Sequence, residues 1–145
     1  MKPYLLSAKQ LIDKVKKSEL SSVDVANSFI ERIEEFEKDV RAWAFFDKTS
    51  FLEKAKEADD WRLSGKPLGP LHGLPIAIKD IFKTEDMPTG YGTPIKEGQR
   101  SKNESEVVRL LKNAGAIIMG KTVTTELAYF DPGKTTNPHD YSRTP

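Results

Sequence analysis

The sequence predicts an α/β layer fold from three observations. Three helical patterns of apolar residues occupy roughly its first 66 residues. Turn residues then cluster from Pro67, directly before a short apolar strand. A further helical pattern lies between that strand and a second apolar strand. A helix placed between two apolar strands is typical of folds in which helices cover a β-sheet.

Apolar periodicity predicts two helices before residue 40. The first spans about residues 7–18. The second begins at Ser21 or Ser22, because Asp24 stands three residues after Ser21 and completes a capping box. Such a box satisfies amide N–H groups of the first helical turn, so the pattern indicates a helix start.

The next two predicted elements are a strand, indicated by an aromatic run, and a helix, indicated by a capping box at Ser50. Residues 42–46 are aromatic enough to form a strand. A third helix is then expected to start at Ser50, with Glu53 completing its capping box, and to end near Gly65.

The second half of the chain alternates strands and a helix. Residues 76–78 and 116–119 are short apolar strands, and the helix between them spans about 104–114, with Gly115 as its stop signal. Residues 131–145 are rich in turn formers and are predicted to be loop. The expected core side of the helix consists of Val107, Val108, Leu110 and Leu111.

Composition excludes several classes of function. Lys plus Arg (23) nearly balances Asp plus Glu (22), so no net field attracts nucleic acid or an anionic membrane, and direct nucleic-acid binding is not expected. No apolar run approaches the roughly 20 residues that span a bilayer. With no membrane segment and no signal-peptide core after Met1, the expected compartment is the cytoplasm.

The chain also lacks the residue types of most metal and thiol sites. It contains no cysteine, which excludes disulfides, thiolate zinc sites and a cysteine nucleophile. Its two histidines show no metal-ligand spacing. We therefore expect no metal and no cofactor.

Two lysines are candidates for a catalytic base. Lys79 and Lys121 each follow an apolar strand. Burial disfavours the ammonium form and lowers a lysine pKa, which yields a neutral amine able to accept a proton from a nucleophile. The alternative for each is a strand-end lysine whose amine reaches solvent. Strand periodicity by itself does not choose between the two lysines.

Four ordered blocks of sequence resemble the amidase-signature family. The first, at residues 69–80, reads Gly-Pro-Leu-His-Gly-Leu-Pro-Ile-Ala-Ile-Lys-Asp. The others are residues 114–122, residues 125–128, and residues 137–140 together with 143–145. The blocks cover a substantial part of the chain in the family's order, and this makes the resemblance specific.

The resemblance implies the N-terminal portion of an amidase-signature fold, with helices followed by part of a mixed central β-sheet that helices cover. Residues 1–145 would then be the N-terminal part of a single domain. Its residues 1–66 would be mainly helical, and its residues 67–145 would form an α/β portion that carries the catalytic lysine.

The same resemblance implies a Ser–cisSer–Lys triad in which Lys79 is the catalytic lysine and Lys121 is structural. In the family, both serines follow the position of Pro145, so this chain would carry only the lysine and is expected to be inactive alone. Family members line their substrate pocket near the positions of three residues of this chain, namely Leu127, Ala128 and Tyr129.

The implied reaction is hydrolysis of a carboxylic amide to an acid plus ammonia or an amine. The implied partner is a small-molecule amide substrate, and a homodimer of the whole enzyme stays open. One alternative is the A subunit of an aspartyl/glutamyl-tRNA amidotransferase, which has the same core. Another is a truncated, non-catalytic chain that binds or assembles.

Overall fold

The computed structural model describes residues 2–145 and confirms the α/β fold. Short 3₁₀ turns add to the helices and strands at Pro3–Leu5, Pro94–Lys96 and Glu126–Ala128. The helices of the described chain are α1 Ala8–Lys16, α2 Ser22–Val40, α3 Lys48–Leu63 and α4 Glu106–Asn113. Its strands are β1 Trp43–Phe46, β2 Pro75–Lys79 and β3 Ile117–Thr122.

The start of α2 has the capping box that the sequence predicts. The Asp24 backbone N–H donates to Ser21 Oγ at 2.9 Å, and the Ser21 backbone N–H donates to Asp24 Oδ2 at 3.1 Å. The Ser21 side chain and then its backbone N–H hydrogen-bond to the Asp24 carboxyl and lower its pKa, because they favour its charged form. Ser21 is therefore a helix cap, as expected from its spacing to Asp24.

The predicted start of α3 is wrong by two residues. The helix begins at Lys48 rather than Ser50, and its cap is Asp47. Asp47 Oδ1 accepts a hydrogen bond from the Ser50 backbone N–H at 3.0 Å. The carboxylate of Asp47 satisfies this amide of the first turn, so Ser50 lies inside the helix and Glu53 has no capping role to complete.

The predicted core side of α4 is only partly correct. The helix covers Glu106–Asn113, and Val108 is fully buried. Val107 is 41% exposed, however, and Leu110 is 54% exposed. The apolar stripe of this helix is therefore wider than the face that residues 2–145 bury.

The sheet has the strand order β1-β3-β2, with β1 antiparallel to β3. β3 is longer than the sequence indicates and continues through Gly120 to Thr122, where it pairs with β1. A Cβ at Gly120 would lie 2.7 Å from the Trp43 ring and 2.8 Å from the Phe45 carbonyl oxygen. Glycine at this position lets β1 approach, so pairing with β1 extends the strand past the apolar run.

The chain divides into two compact units, each formed by three segments. The first unit comprises residues 1–33, 47–76 and 110–119, of which residue 1 lies outside the described residues. Its core is a cluster of buried aliphatic side chains from α1, α2 and the segment before β2. The buried members of this cluster are Leu11, Val15, Val25 and Leu74.

The second unit comprises residues 34–46, 77–109 and 120–145. Its interior is unusually polar, because several of its buried side chains carry hydroxyl or charged groups. These residues are Asp80, Thr84, Thr89, Thr93, Lys121 and Thr124. Such groups require hydrogen-bond partners, and Asp80, Thr89 and Lys121 supply them to one another in a network at the end of β2.

None of the helices within residues 2–145 is long and apolar enough to cross a membrane.

Candidate active site

The candidate catalytic Lys79 is the last residue of β2, and its side chain is exposed. Within the described part of the chain, its ammonium group forms no hydrogen bond or ion pair. Side chains alternate along a strand, so Lys79 lies on the face opposite to Ile78 and Asp80, which are both buried. The amine is therefore available to a partner that approaches this exposed face, and the burial that the sequence argument expects of a base is not supplied to Lys79 by residues 2–145.

The residue after Lys79 is held by four hydrogen bonds. Asp80 Oδ1 accepts from Lys121 Nζ at 2.9 Å, and Asp80 Oδ2 accepts from the Gly90 backbone N–H at 3.0 Å. The Asp80 backbone N–H donates to the Thr122 carbonyl at 2.9 Å, and its carbonyl accepts from the Tyr91 N–H at 3.1 Å. These bonds fix the backbone at the end of β2, next to Lys79.

The second candidate lysine, Lys121, is fully buried at 0% exposure. Its ammonium group donates to Asp80 Oδ1 at 2.9 Å, to Thr89 Oγ1 at 2.8 Å and to the Pro88 carbonyl at 3.0 Å. Burial lowers the pKa of Lys121, and the Asp80 carboxylate opposes that shift. An ammonium group has three N–H donors, so Lys121 has none left for a substrate or a nucleophile.

An open cleft of about 480 Å³ lies in the second unit. Asp80 and Glu126 line it together with the glycine-containing loop around Gly90 and Gly92. Neither Lys79 nor any of the three predicted substrate residues lines this cleft. The sequence prediction therefore did not identify the cleft, although its lining residues directly adjoin Lys79 and Leu127.

The three predicted substrate residues lie in an exposed and strained segment. Leu127 and Ala128 adopt φ angles of 50° and 59°, in the left-handed region that residues with a side chain rarely occupy. Tyr129 is 76% exposed, and its ring packs edge-to-face against Phe130. Strained backbone of this kind is concentrated at binding and catalytic sites.

The buried network around Asp80 is the feature that sequence reasoning missed. Two signals for it were present: an acidic residue directly after the Lys79 strand, and a lysine, Lys121, directly after a second apolar strand. A buried lysine requires a buried acidic partner, so these two residues could have been paired. The network uses all three N–H donors of Lys121, whereas the Lys79 amine has no partner within residues 2–145.

Across residues 2–145, no three histidine, cysteine or acidic side chains are grouped so that they could hold a metal ion. The described residues offer an exposed amine at Lys79 and an open cleft.

An α/β fold with an accessible lysine on a fixed strand end agrees with an enzyme that uses an amine base. The sequence profile of the Amidase family matches residues 24–145. The chain belongs to the amidase family, and the assignment made from the four sequence blocks is confirmed.

Relatives and solved structures agree with this family. The A subunit of the glutamyl-tRNA(Gln) amidotransferase from Salinispora tropica is 37% identical over 145 residues, which cover 96% of this chain and 30% of that protein. A structure solved as an amidase has a TM-score of 0.86 and 28% identity, and the match covers 96% of this chain and 33% of that one. Native peptide amidase from Stenotrophomonas maltophilia has a TM-score of 0.79 and 29% identity, over 90% of this chain and 27% of its own. The chain thus spans about 30% of the length of the curated relatives that it matches.

Proposed function

We propose that this chain supplies Lys79 as the base of a Ser–cisSer–Lys site that hydrolyses a carboxylic amide to an acid plus ammonia or an amine. The proposal rests on the difference in hydrogen bonding between the two candidate lysines. The Lys79 ammonium is exposed and has no partner within residues 2–145, whereas all three donors of Lys121 are used. A base must be free to exchange its proton with the nucleophile, and of the two candidate lysines only Lys79 meets that condition.

In the proposed reaction, the neutral amine of Lys79 accepts the proton of the nucleophilic serine through the bridging serine. The serine oxygen attacks the amide carbonyl, and the carbon–nitrogen bond breaks as the leaving nitrogen receives the proton. Water then releases the acid and restores the serine. Both serines are those of the family resemblance and lie outside this chain, whose own part is to hold the amine on a fixed strand end.

We further propose that Leu127, Ala128 and Tyr129 contact the substrate. Two supports come from the described residues. The backbone of Leu127 and Ala128 is held in the left-handed region, and Glu126 directly before them lines the open cleft. The substrate class is a small-molecule amide.

A lysine-to-alanine comparison in the whole protein that contains this chain tests the proposed base. Lys79→Ala should lower kcat for ammonia release by several orders of magnitude, because it removes the proton acceptor. Lys83→Ala is the matched control, since Lys83 is another exposed lysine four residues further on. The proposal fails if folded Lys79→Ala protein retains turnover.

A second candidate function is the A subunit of a tRNA-dependent amidotransferase. The names of the curated relatives favour it, since those at 34–38% identity are each called the A subunit of a glutamyl-tRNA(Gln) amidotransferase. The chemistry at Lys79 would be the same, but the released ammonia would pass to an aminoacyl-tRNA. Glutamine hydrolysis that requires partner subunits would favour this candidate. Turnover of simple amides by the purified protein alone would favour the free-standing amidase.

A further inference from the structure

Besides hydrogen bonds to backbone groups, one ion pair joins the end of β2 to the rest of the second unit. Asp80 and Lys121 lie 41 residues apart in sequence, and their charged atoms are 2.9 Å apart. The Lys121 side chain is completely buried, and that of Asp80 is nearly so. An interior pair of this kind is expensive to desolvate and is weak evidence for stability, so its presence next to Lys79 requires another explanation.

We infer that the Asp80–Lys121 pair is a positioning element for Lys79, which fixes the strand end and leaves no net charge beside the base. This inference rests on the proposed function of Lys79. Lys121 binds Asp80 and also Thr89 and the Pro88 carbonyl. The loop that contains Pro88 and Thr89 is therefore fixed to the end of β2. Lys79, one residue before Asp80, therefore has a defined backbone position.

The charge balance of the pair has a separate consequence. If the Lys121 ammonium is removed, the Asp80 carboxylate is left unpaired one residue from Lys79. A nearby negative charge favours the protonated amine, so the base would become active only at higher pH. If both charges are removed together, the balance is restored.

Other charged groups face the pair and must stay constant. Asp86 acts electrostatically on Lys121. Glu97, Glu126, Asp131 and Lys134 line the same cleft as Asp80. On the β1 side, Lys121 is opposite Phe45, which carries no charge. All of these residues are unchanged in the variants below, so differences among the variants report the pair alone.

The test measures kcat/KM against pH for amide hydrolysis by the whole protein that contains this chain. Three variants are compared with the wild type: Lys121→Met, the double variant Asp80→Asn/Lys121→Met, and Thr89→Val. Thr89→Val is the matched control, because it removes one hydrogen bond of Lys121 but neither charge. Lys121→Gln replaces Lys121→Met if the latter does not fold, since its amide still has N–H donors for Asp80.

The acid limb of the profile should move to higher pH by roughly half a unit to one unit in Lys121→Met. The double variant should return it to the wild-type position. Thr89→Val should lower the thermal midpoint without moving the limb. The inference is overturned if the single and double variants have the same acid limb, or if Thr89→Val moves it as far as Lys121→Met does. Turnover that persists in Lys79→Ala would instead remove the proposed function itself.

Discussion

At the scale of single residues, the ionisable side chains of this chain are distinguished mainly by how deeply they are buried. Lys79 and Lys121 both follow apolar strand residues, yet one amine is exposed and the other is enclosed by three acceptors. His72 is a third case, since it is 4% exposed and its Nε2 has no hydrogen-bond partner in the described structure. Burial lowers the pKa of His72 by disfavouring the imidazolium, while a hydrogen bond to the backbone of Ala58 opposes that shift.

This environment predicts a stability loss in weak acid. An unfolded histidine begins to bind a proton near pH 6.5, whereas buried His72 resists protonation. The free energy of unfolding should therefore fall as the pH drops below about 6.5, by at most about 1.4 kcal/mol per pH unit from this residue. Hydrogen exchange of the first unit between pH 7 and 5 measures it, in wild type and in His72→Gln.

The exposed His139 provides the control for the pH experiment. His139→Gln should keep the wild-type pH dependence, and His72→Gln should lose the part due to the buried ring. Equal slopes in wild type and His72→Gln would show that His72 contributes nothing to the acid sensitivity.

At the scale of elements, α2 receives a second cap from a distant helix. Asp59 of α3 accepts a hydrogen bond from the Ser22 N–H at 2.8 Å and from the Val23 N–H at 3.1 Å. Its carboxylate is buried, and Arg62 lies 3.5 Å from it. A carboxylate at this position satisfies two donors of the first turn and complements the positive end of the helix dipole. The pair of helices is therefore joined by polar contacts as well as by apolar packing.

Loss of this cap should loosen the start of α2. Asp59→Ala leaves the buried Ser22 N–H without its acceptor, at a cost of about 1–3 kcal/mol. Amide exchange of residues in the first turns of α2 should accelerate correspondingly, as measured by hydrogen–deuterium exchange. Asp60→Ala is the matched control, because the neighbouring carboxylate forms only an exposed pair with Lys56. Similar exchange rates in the two variants would argue against the cap.

At the scale of the whole molecule, much apolar surface stays uncovered within residues 2–145. β2 is an edge strand of the described sheet. Phe130 is 84% exposed, and Leu127 and Ile95 are also largely exposed. Edge strands and apolar patches promote association between chains. The relatives that the chain matches are about three times as long as this chain. The edge strand β2 is also the strand that ends at Lys79, the proposed base.

We predict that the 145-residue chain on its own shows no amidase activity and associates or packs loosely. Without a nucleophilic and a bridging serine, Lys79 has no group to activate. Ammonia release from simple amides measures the first part, and size-exclusion behaviour with amide-proton dispersion measures the second. A monodisperse, cooperatively melting monomer would contradict the structural part. Turnover that disappears in Lys79→Ala would contradict the catalytic part.

The sequence by itself determined the features that depend on near neighbours. The α2 capping box involves Ser21 and Asp24, three residues apart, and it is found as predicted. Strand and helix positions follow from periodicity over a few residues, and the α/β class follows from their order. The family was recognised from blocks of contiguous sequence, of which residues 69–80 contain Lys79.

Only the tertiary structure decided the features that depend on distant partners. Lys121 meets Asp80 across 41 residues, and Asp59 caps α2 across 37. The same holds for α4, whose periodicity marks an apolar stripe but does not say that Val108 is buried while Leu110 is exposed. Periodicity describes which side chains share a face, whereas burial depends on what the rest of the chain places against that face. For that reason residue spacing could not choose between Lys79 and Lys121 as candidate bases, whereas their difference in burial distinguishes them.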